Sequence, residues 1–131
     1  MIVLDTHAWI WYLSNPDRLS AKAIQHIEKA IKKDEVYVSS ISVWEMALLV
    51  QKKRLVLKVG LDEWISSAES IRFLNFLPID NAIALHSVNL PSPLHSDPAD
   101  RIIIASALAL EAALITKDEK ILNYPFVNAV W

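Results

Sequence analysis

The sequence contains no cysteine, which excludes disulfides, thiolate metal ligands and cysteine nucleophiles and is typical of a reducing compartment. Gly60 is its only glycine. Tight hairpins and glycine-rich phosphate loops need more glycine, which argues against a hairpin-rich β fold and against P-loop or dinucleotide-binding folds. The formal net charge is −2, so the chain also lacks the excess of positive charge expected of a general nucleic-acid binder. Any contact with a polyanion would need local basic patches or metal ions.

Long hydrophobic runs are absent as well. The longest, Ile102 to Ile115, is interrupted by Ser106 and Glu111 and is too short to cross a bilayer. The N-terminus lacks the charged start and cleavage site of a signal peptide, so we expect a cytoplasmic protein with no membrane contact. The 131 residues show no linker and no repeat, which predicts a single domain over residues 1–131. Hydrophobic residues make up 53% of the chain, which indicates a large core or an apolar surface that meets a partner.

Short β-type runs alternate with longer helical patterns along the chain. The expected strands are MIVL at the start, VYVSS from residue 36, FLPI from residue 76, ALIT from residue 113 and FVNAVW at the end. The expected helices cover residues 20–33, 42–53, 61–74, 81–90 and 98–114. This alternation predicts an α/β fold of βαβ units, with a parallel sheet covered on both faces. Ligands of such sheets bind beyond the carboxyl ends of the strands.

Acidic residues recur where that sheet would present its carboxyl ends. Asp5 ends the first expected strand, and Asp118 follows the fourth. Glu45 lies about one turn into the helix after the second strand. Asp97 and Asp100 begin the helix that leads into the fourth strand. In a parallel sheet these acids would come from distant sequence positions to one edge.

Each acid also has a local explanation. Asp97 before Pro98 is typical of a helix N-cap, and an acid at Asp100 would favour the helix dipole. Glu45 stands three residues after Ser42, which matches a capping box. Asp118 would cap the short helix EKILN. Taken one at a time, these structural explanations are the more common ones.

The acids taken together point to a metal ion. Two unit charges about 4 Å apart cost roughly 4 kcal/mol at an effective dielectric near 20, so several carboxylates in one crevice need protons or a cation. Hard divalent ions prefer oxygen ligands, and without cysteine an acid-only pocket favours Mg²⁺ or Mn²⁺ over zinc. Such an ion activates water and steadies charge on a phosphoryl oxygen, which predicts hydrolysis of a phosphodiester.

Four segments stand out along the chain, namely LDTHAWIW at the N-terminus, SSISVWEMALL after the second strand, HSDPADRIIIASALA and LITKDEKI. Together they resemble the PIN-domain ribonucleases, and most closely the VapC-type toxins of toxin–antitoxin pairs. The resemblance covers nearly the whole chain in the expected order. It implies a three-layer α/β/α sandwich with a mostly parallel central sheet.

The resemblance also assigns residues. The family's four metal-binding and catalytic acids match Asp5, Glu45, Asp100 and Asp118, which would hold one or two Mg²⁺ or Mn²⁺ ions. Thr6 and Thr116 resemble the hydroxyl residues that orient the acids or a water, with local backbone hydrogen bonds as the alternative. Asp97 would be an accessory acid or a helix cap, and we favour the cap. The implied partners are an RNA substrate, a small antitoxin protein and a second copy of the chain in a homodimer.

Other residues carry weaker signals. His7 and His95 are expected to border the pocket, and hydrogen bonding to the acids is the first hypothesis for them. Arg101 would pair with an acid, or less often contact a substrate phosphate. For the tryptophans near the site in sequence, core or interface packing is more common than stacking on RNA bases.

Three functions remain open. The first is a Mg²⁺-dependent endoribonuclease that acts as the toxin of a type II pair. The second is a PIN nuclease that processes RNA without being a toxin. The third is a PIN-fold binding module that has lost catalysis, although the complete set of acids argues against it. A haloacid-dehalogenase phosphatase is disfavoured because it needs an aspartate at position 7, which is His7.

Overall fold

A computed structural model describes residues 1–131 and contains one sheet of five strands. The strands are β1 (Ile2–Leu4), β2 (Val36–Ser39), β3 (Leu74–Leu77), β4 (Ala113–Ile115) and β5 (Ala129–Val130). Their order is β3-β2-β1-β4-β5, and every neighbouring pair is parallel. The expected parallel sheet is therefore confirmed.

Seven α-helices connect and cover the strands. They are α1 (Thr6–Ser14), α2 (Ala21–Ile31), α3 (Ser40–Gln51), α4 (Leu61–Glu69), α5 (Asn81–Val88), α6 (Pro98–Ala109) and α7 (Glu119–Leu122). A single 3₁₀ turn, Pro16–Arg18, follows α1. None of the helices combines the length and the apolar character needed to span a bilayer.

Alternate residues of the strands point into two hydrophobic cores. Ile2 and Leu4 of β1 pack on one face with side chains from α1, α2, α3 and α4. Val3 packs on the other face, against α6 and the segment around Tyr124. This period of two is what a strand covered on both faces requires. The result is the expected three-layer α/β/α sandwich.

The sequence patterns misplaced three elements. Helix α1 was not expected, because THAWIWYLS is mostly apolar and shows only a weak helical stripe. The third strand is Leu74–Leu77 rather than residues 76–79, since Leu74 pairs with Val36 and α4 already ends at Glu69. Helix α6 ends at Ala109, five residues earlier than predicted, where Glu111 adopts a positive φ of 52° before β4.

The caps were predicted more accurately. Ser20 and Asp80 accept hydrogen bonds from the backbone N–H of Ala23 and Ile83, at the starts of α2 and α5. Helix α3, however, begins at Ser40 with Ser39 as its N-cap. Ser42 is buried inside that helix, so the capping-box explanation of Glu45 is wrong.

The buried face of α6 should contribute strongly to stability. Ile104 is fully buried there, in one core cluster with Val3 and Leu114 of the sheet, so Ile104→Ala should lower the free energy of unfolding by about 2–5 kcal/mol. Leu85 on α5 is 68% exposed, so Leu85→Ala should change the free energy of unfolding by less than about 0.5 kcal/mol. Urea denaturation measures both values. Equal effects of the two substitutions would contradict this placement of the core.

Candidate active site

Two central strands deliver two aspartates to the same edge of the sheet. Strands β1 and β4 are neighbours, and Asp5 and Asp118 follow their carboxyl ends. The backbone N–H of Asp5 donates to the carbonyl of Ile115 at 2.9 Å, which ties the two strand ends together. The two carboxyl groups meet at this edge because parallel strands end on the same side of a sheet.

Thr116 bridges these two aspartates. Its hydroxyl donates to Oδ2 of Asp5 at 2.6 Å and accepts from the backbone N–H of Asp118 at 3.1 Å. Oδ1 of Asp5 accepts from the backbone N–H of Thr6 at 2.8 Å, which makes Asp5 the N-cap of α1. Asp118 likewise caps α7, through the N–H of Lys120. The cap expected for Asp118 is present, and it leaves the other oxygen of that carboxyl group free.

Helix α3 brings Glu45 to the same place. Oγ1 of Thr6 lies 2.5 Å from Oε1 of Glu45 and 2.8 Å from Oγ of Ser42. A hydroxyl carries a single proton, so Thr6 can donate to the carboxylate while it accepts from Ser42. Thr6 directly follows Asp5 in the chain, so its hydrogen bond fixes the Glu45 side chain relative to Asp5.

Asp100 comes from the first turn of α6. Its Oδ2 lies 2.7 Å from Nε2 of His95, and its backbone N–H donates to Oδ1 of Asp97 at 3.1 Å. Asp97 is thus the N-cap that the sequence favoured, with Pro98 at the first helical position. The expected hydrogen bond from His95 to an acid is also present.

Arg101 does not pair with an acid, contrary to expectation. Its guanidinium donates to three backbone carbonyls, those of Ser87, Leu94 and His95. These bonds hold the segment before α6 against α5. Arg101 therefore positions His95, and through it Asp100.

The acids share one cavity of about 430 Å³, called the acid cavity below. The residues that line it are Asp5, Thr6, His7, Trp11, Glu45, Asp97, Asp100, Lys117 and Asp118. All four acids matched by the family resemblance are present, together with Asp97 and Thr6. Thr116 does not line the acid cavity, because its side chain is fully buried beneath it. Trp9, Trp11 and Trp44 are near the site in sequence, and of these Trp11 lines the acid cavity. Lys117, between β4 and α7, was not predicted as a lining residue.

Burial and crowding raise the pKa values of three of these acids. Burial is the main cause of the raised pKa of Asp5, and the charge of Asp118 adds to it. Burial raises the pKa of Glu45 to about 7, and the charges of Asp5, Asp100 and Asp97 push in the same direction. Burial likewise raises the pKa of Asp100, with further contributions from Asp5, Asp97 and Asp118. The carboxylates therefore act on one another across the acid cavity.

The donor set suits a hard divalent cation in its chemistry. Glu45, Asp100 and Asp118 each keep one carboxyl oxygen without a hydrogen bond inside the chain, and no sulfur ligand is present. As they stand, however, no three acidic or histidine side chains are close enough to a common point to coordinate an ion. The residues therefore fit a cation in type and in charge, although their side chains do not converge on one point.

Comparisons with known proteins identify the family. Residues 2–127 match the family described as the PIN domain. The chain belongs to the PIN-domain family. It is 36% identical over 133 aligned residues to Ribonuclease VapC22 of Mycobacterium tuberculosis, with 99% of this chain and 98% of that protein covered. The resemblance to the VapC-type proteins of this family is thereby confirmed.

Solved structures share the fold. A toxin–antitoxin complex from Klebsiella pneumoniae superposes with a TM-score of 0.68 at 22% identity, covering 100% of this chain and 97% of that one. VapBC2 from Rickettsia felis, crystallised with a DNA fragment from its promoter, gives a TM-score of 0.71 at 18% identity. There the coverage is 99% of this chain and 98% of the other. At these identities the likeness shows the PIN fold alone.

The raised pKa of Glu45 predicts a pH-dependent stability for the metal-free protein. The pKa is 4.5 for an ordinary glutamate and about 7 in the folded chain, so the folded state binds more protons between these pH values. The free energy of unfolding should therefore fall as the pH rises from about 4.5 to about 7 and stay lower above that range.

Glu45→Gln tests this dependence, since it removes the ionisable group and keeps the shape. In chelator above pH 7 the variant should melt about 2–4 °C higher than the wild type, and near pH 4.5 the gap should close. Glu63→Gln, at an exposed position of α4, serves as the matched control. A variant that melts lower than the wild type at high pH would contradict the assignment of unfavourable charge to Glu45.

Proposed function

We propose that the chain is a divalent-metal-dependent endoribonuclease that hydrolyses RNA phosphodiester bonds and serves as the toxin of a type II toxin–antitoxin pair. The observation that carries this proposal is the acid cavity, where carboxylates from residues 5, 45, 100 and 118 meet. Its membership of the PIN family and its similarity to a protein named as a ribonuclease support the same reaction.

Asp5, Glu45, Asp100 and Asp118 would hold Mg²⁺ or Mn²⁺. The bound ion would lower the pKa of a water molecule and offset the negative charge that develops on the phosphoryl oxygens. No side chain of the acid cavity is needed as a covalent nucleophile.

The neighbouring side chains keep the carboxylates in place. Thr116 and the backbone N–H of Thr6 hold both oxygens of Asp5, so that carboxylate keeps one orientation. His95 does the same for one oxygen of Asp100. Because these donors stabilise the charged forms of the two acids, they oppose the rise in pKa that burial causes at Asp5 and Asp100.

The proposed partners follow from the same relatives. Structures of similar fold are described as toxin–antitoxin complexes, which supports a small antitoxin as partner. Helix α5 exposes Leu85 and Val88, at 68% and 75%, and Trp44 on α3 is 55% exposed. Apolar surface of this kind is available to an antitoxin or to a second copy in a homodimer.

Asp100→Asn tests the catalytic role. It removes a charge from the acid cavity, so cleavage of single-stranded RNA in Mg²⁺ should fall about hundredfold or more, the scale seen when one electrostatic stabilising group is lost. Asp80→Asn is the matched control, because Asp80 only caps α5 and asparagine is also a good cap. Chelator should abolish cleavage by the wild type, and Mn²⁺ should restore it.

Two outcomes would contradict the proposal. Equal cleavage by the wild type and Asp100→Asn would show that the acid cavity takes no part in the reaction. RNA binding by the wild type without cleavage, in either metal, would favour the catalytically silent binding module.

Expression in cells separates the toxin from a nuclease of RNA processing. The wild type made alone should stop growth, and co-expression of the neighbouring gene should restore it. Asp100→Asn made alone should allow growth. Normal growth with active, well-expressed wild-type protein would contradict the toxin role and favour a nuclease of RNA processing.

A further inference from the structure

A second cavity of about 370 Å³ adjoins the acid cavity. His7 and Trp11, both on α1, line the two cavities, so these side chains form the wall between them. The second cavity also contains Arg18 from the 3₁₀ turn and Arg54 from the segment after α3. We call it the arginine cavity.

The arginine cavity carries uncompensated positive charge. No aspartate or glutamate lines it. Neither Arg18 nor Arg54 takes part in an ion pair, and neither guanidinium group donates a hydrogen bond within the chain. The other arginines differ, since Arg101 donates to three carbonyls and Arg72 pairs with Asp34. The two free guanidinium groups of the chain thus both line this cavity, which suits an anion, although Arg54 also lines a neighbouring cavity that contains Glu45 and Asp97.

Trp11 fixes one of these groups in place. Cζ of Arg18 lies 4.4 Å from the centre of the Trp11 ring, and the half-buried ring is held in turn by an edge contact with Trp131. A cation–π contact engages the guanidinium without using its N–H groups, which remain available to a phosphate oxygen. Nζ of Lys117, in the acid cavity, lies 5.8 Å from the centre of the same ring. Positive charges therefore continue from the acids past Trp11 to Arg18 and Arg54.

We propose that the arginine cavity binds the RNA nucleotide next to the cleaved phosphate, with Arg18 and Arg54 on its phosphate and Trp11 positioning Arg18. This inference rests on the proposed function, because it places the scissile phosphate in the acid cavity. The next phosphate of the same strand then lies beyond the wall of His7 and Trp11. A cavity of this size admits a single nucleotide, and one with an aromatic wall favours an unpaired one, so the substrate would be single-stranded at this position.

Binding is measured in the Asp100→Asn background, so that the RNA stays intact. The probe is a fluorescein-labelled single-stranded RNA of mixed sequence, titrated by anisotropy at several salt concentrations. Adding Arg18→Gln or Arg54→Gln should raise the Kd about tenfold, as expected for the loss of one charge-assisted contact, and should lower the slope of log Kd against log salt by about 0.7. Arg72→Gln, which removes the same charge from an exposed ion pair, should leave both quantities unchanged.

Trp11→Leu separates positioning from general electrostatics, since it removes the aromatic ring but keeps an apolar side chain and the net charge. It should weaken RNA binding, and its effect should not add to that of Arg18→Gln, because both changes disturb the same contact. In the active background Arg18→Gln should raise KM and leave kcat unchanged.

The outcomes distinguish the two proposals. If the wild type cleaves no RNA, the proposed function fails, while the binding data still report on the arginine cavity. If the wild type cleaves and the arginine variants bind the probe as tightly as Arg72→Gln does, this inference alone is wrong. Normal RNA binding with lost binding of the antitoxin would also overturn it, since the cavity would then serve a protein partner.

Discussion

The carboxylates of the acid cavity repel one another, and much of the surrounding structure offsets that repulsion. At an effective dielectric near 20, two such charges about 4 Å apart cost roughly 4 kcal/mol. Each carboxylate accepts at least one hydrogen bond, from Thr6, Thr116, His95 or the backbone of Lys120. These donors do not offset the full cost of charge at the site, because burial, with a further contribution from the charges of Asp5, Asp100 and Asp97, still raises the pKa of Glu45 to about 7. In the proposed function a divalent cation would supply the missing positive charge, which would link the fold to the proposed chemistry.

The fold creates the site through strand order. Placing β1 beside β4 at the centre of a parallel sheet brings residues 5 and 118 together, although they are far apart in sequence. Helices α3 and α6 then add one acid each. Asp5 and Asp118 cap α1 and α7 and also face the acid cavity. The structural explanation of these two residues is therefore compatible with the functional one. A cap needs only one carboxyl oxygen, which leaves Asp118 an oxygen for a cation.

The sequence predicted the site better than it predicted the elements around it. Acids that follow apolar strands are recognisable because all parallel strands end on one side, whatever their exact bounds. Helix α1 has only a weak polar stripe, because most of its side chains are buried or half-buried. Because α1 was not predicted, neither the position of Trp11 in the fold nor its contact with Arg18 could be foreseen. Arg101 was assigned to an acid from adjacency alone, whereas its carbonyl partners depend on how the chain turns before α6.

A crystal soaked in Mn²⁺ gives the most direct test of the central claim, that electrostatic repulsion in the acid cavity is relieved by a divalent cation. The account predicts an anomalous peak within ligating distance of carboxyl oxygens from at least two of Asp5, Glu45, Asp100 and Asp118, with their side chains drawn toward the ion. No peak in the acid cavity, in a crystal that binds Mn²⁺ elsewhere or not at all, would contradict it.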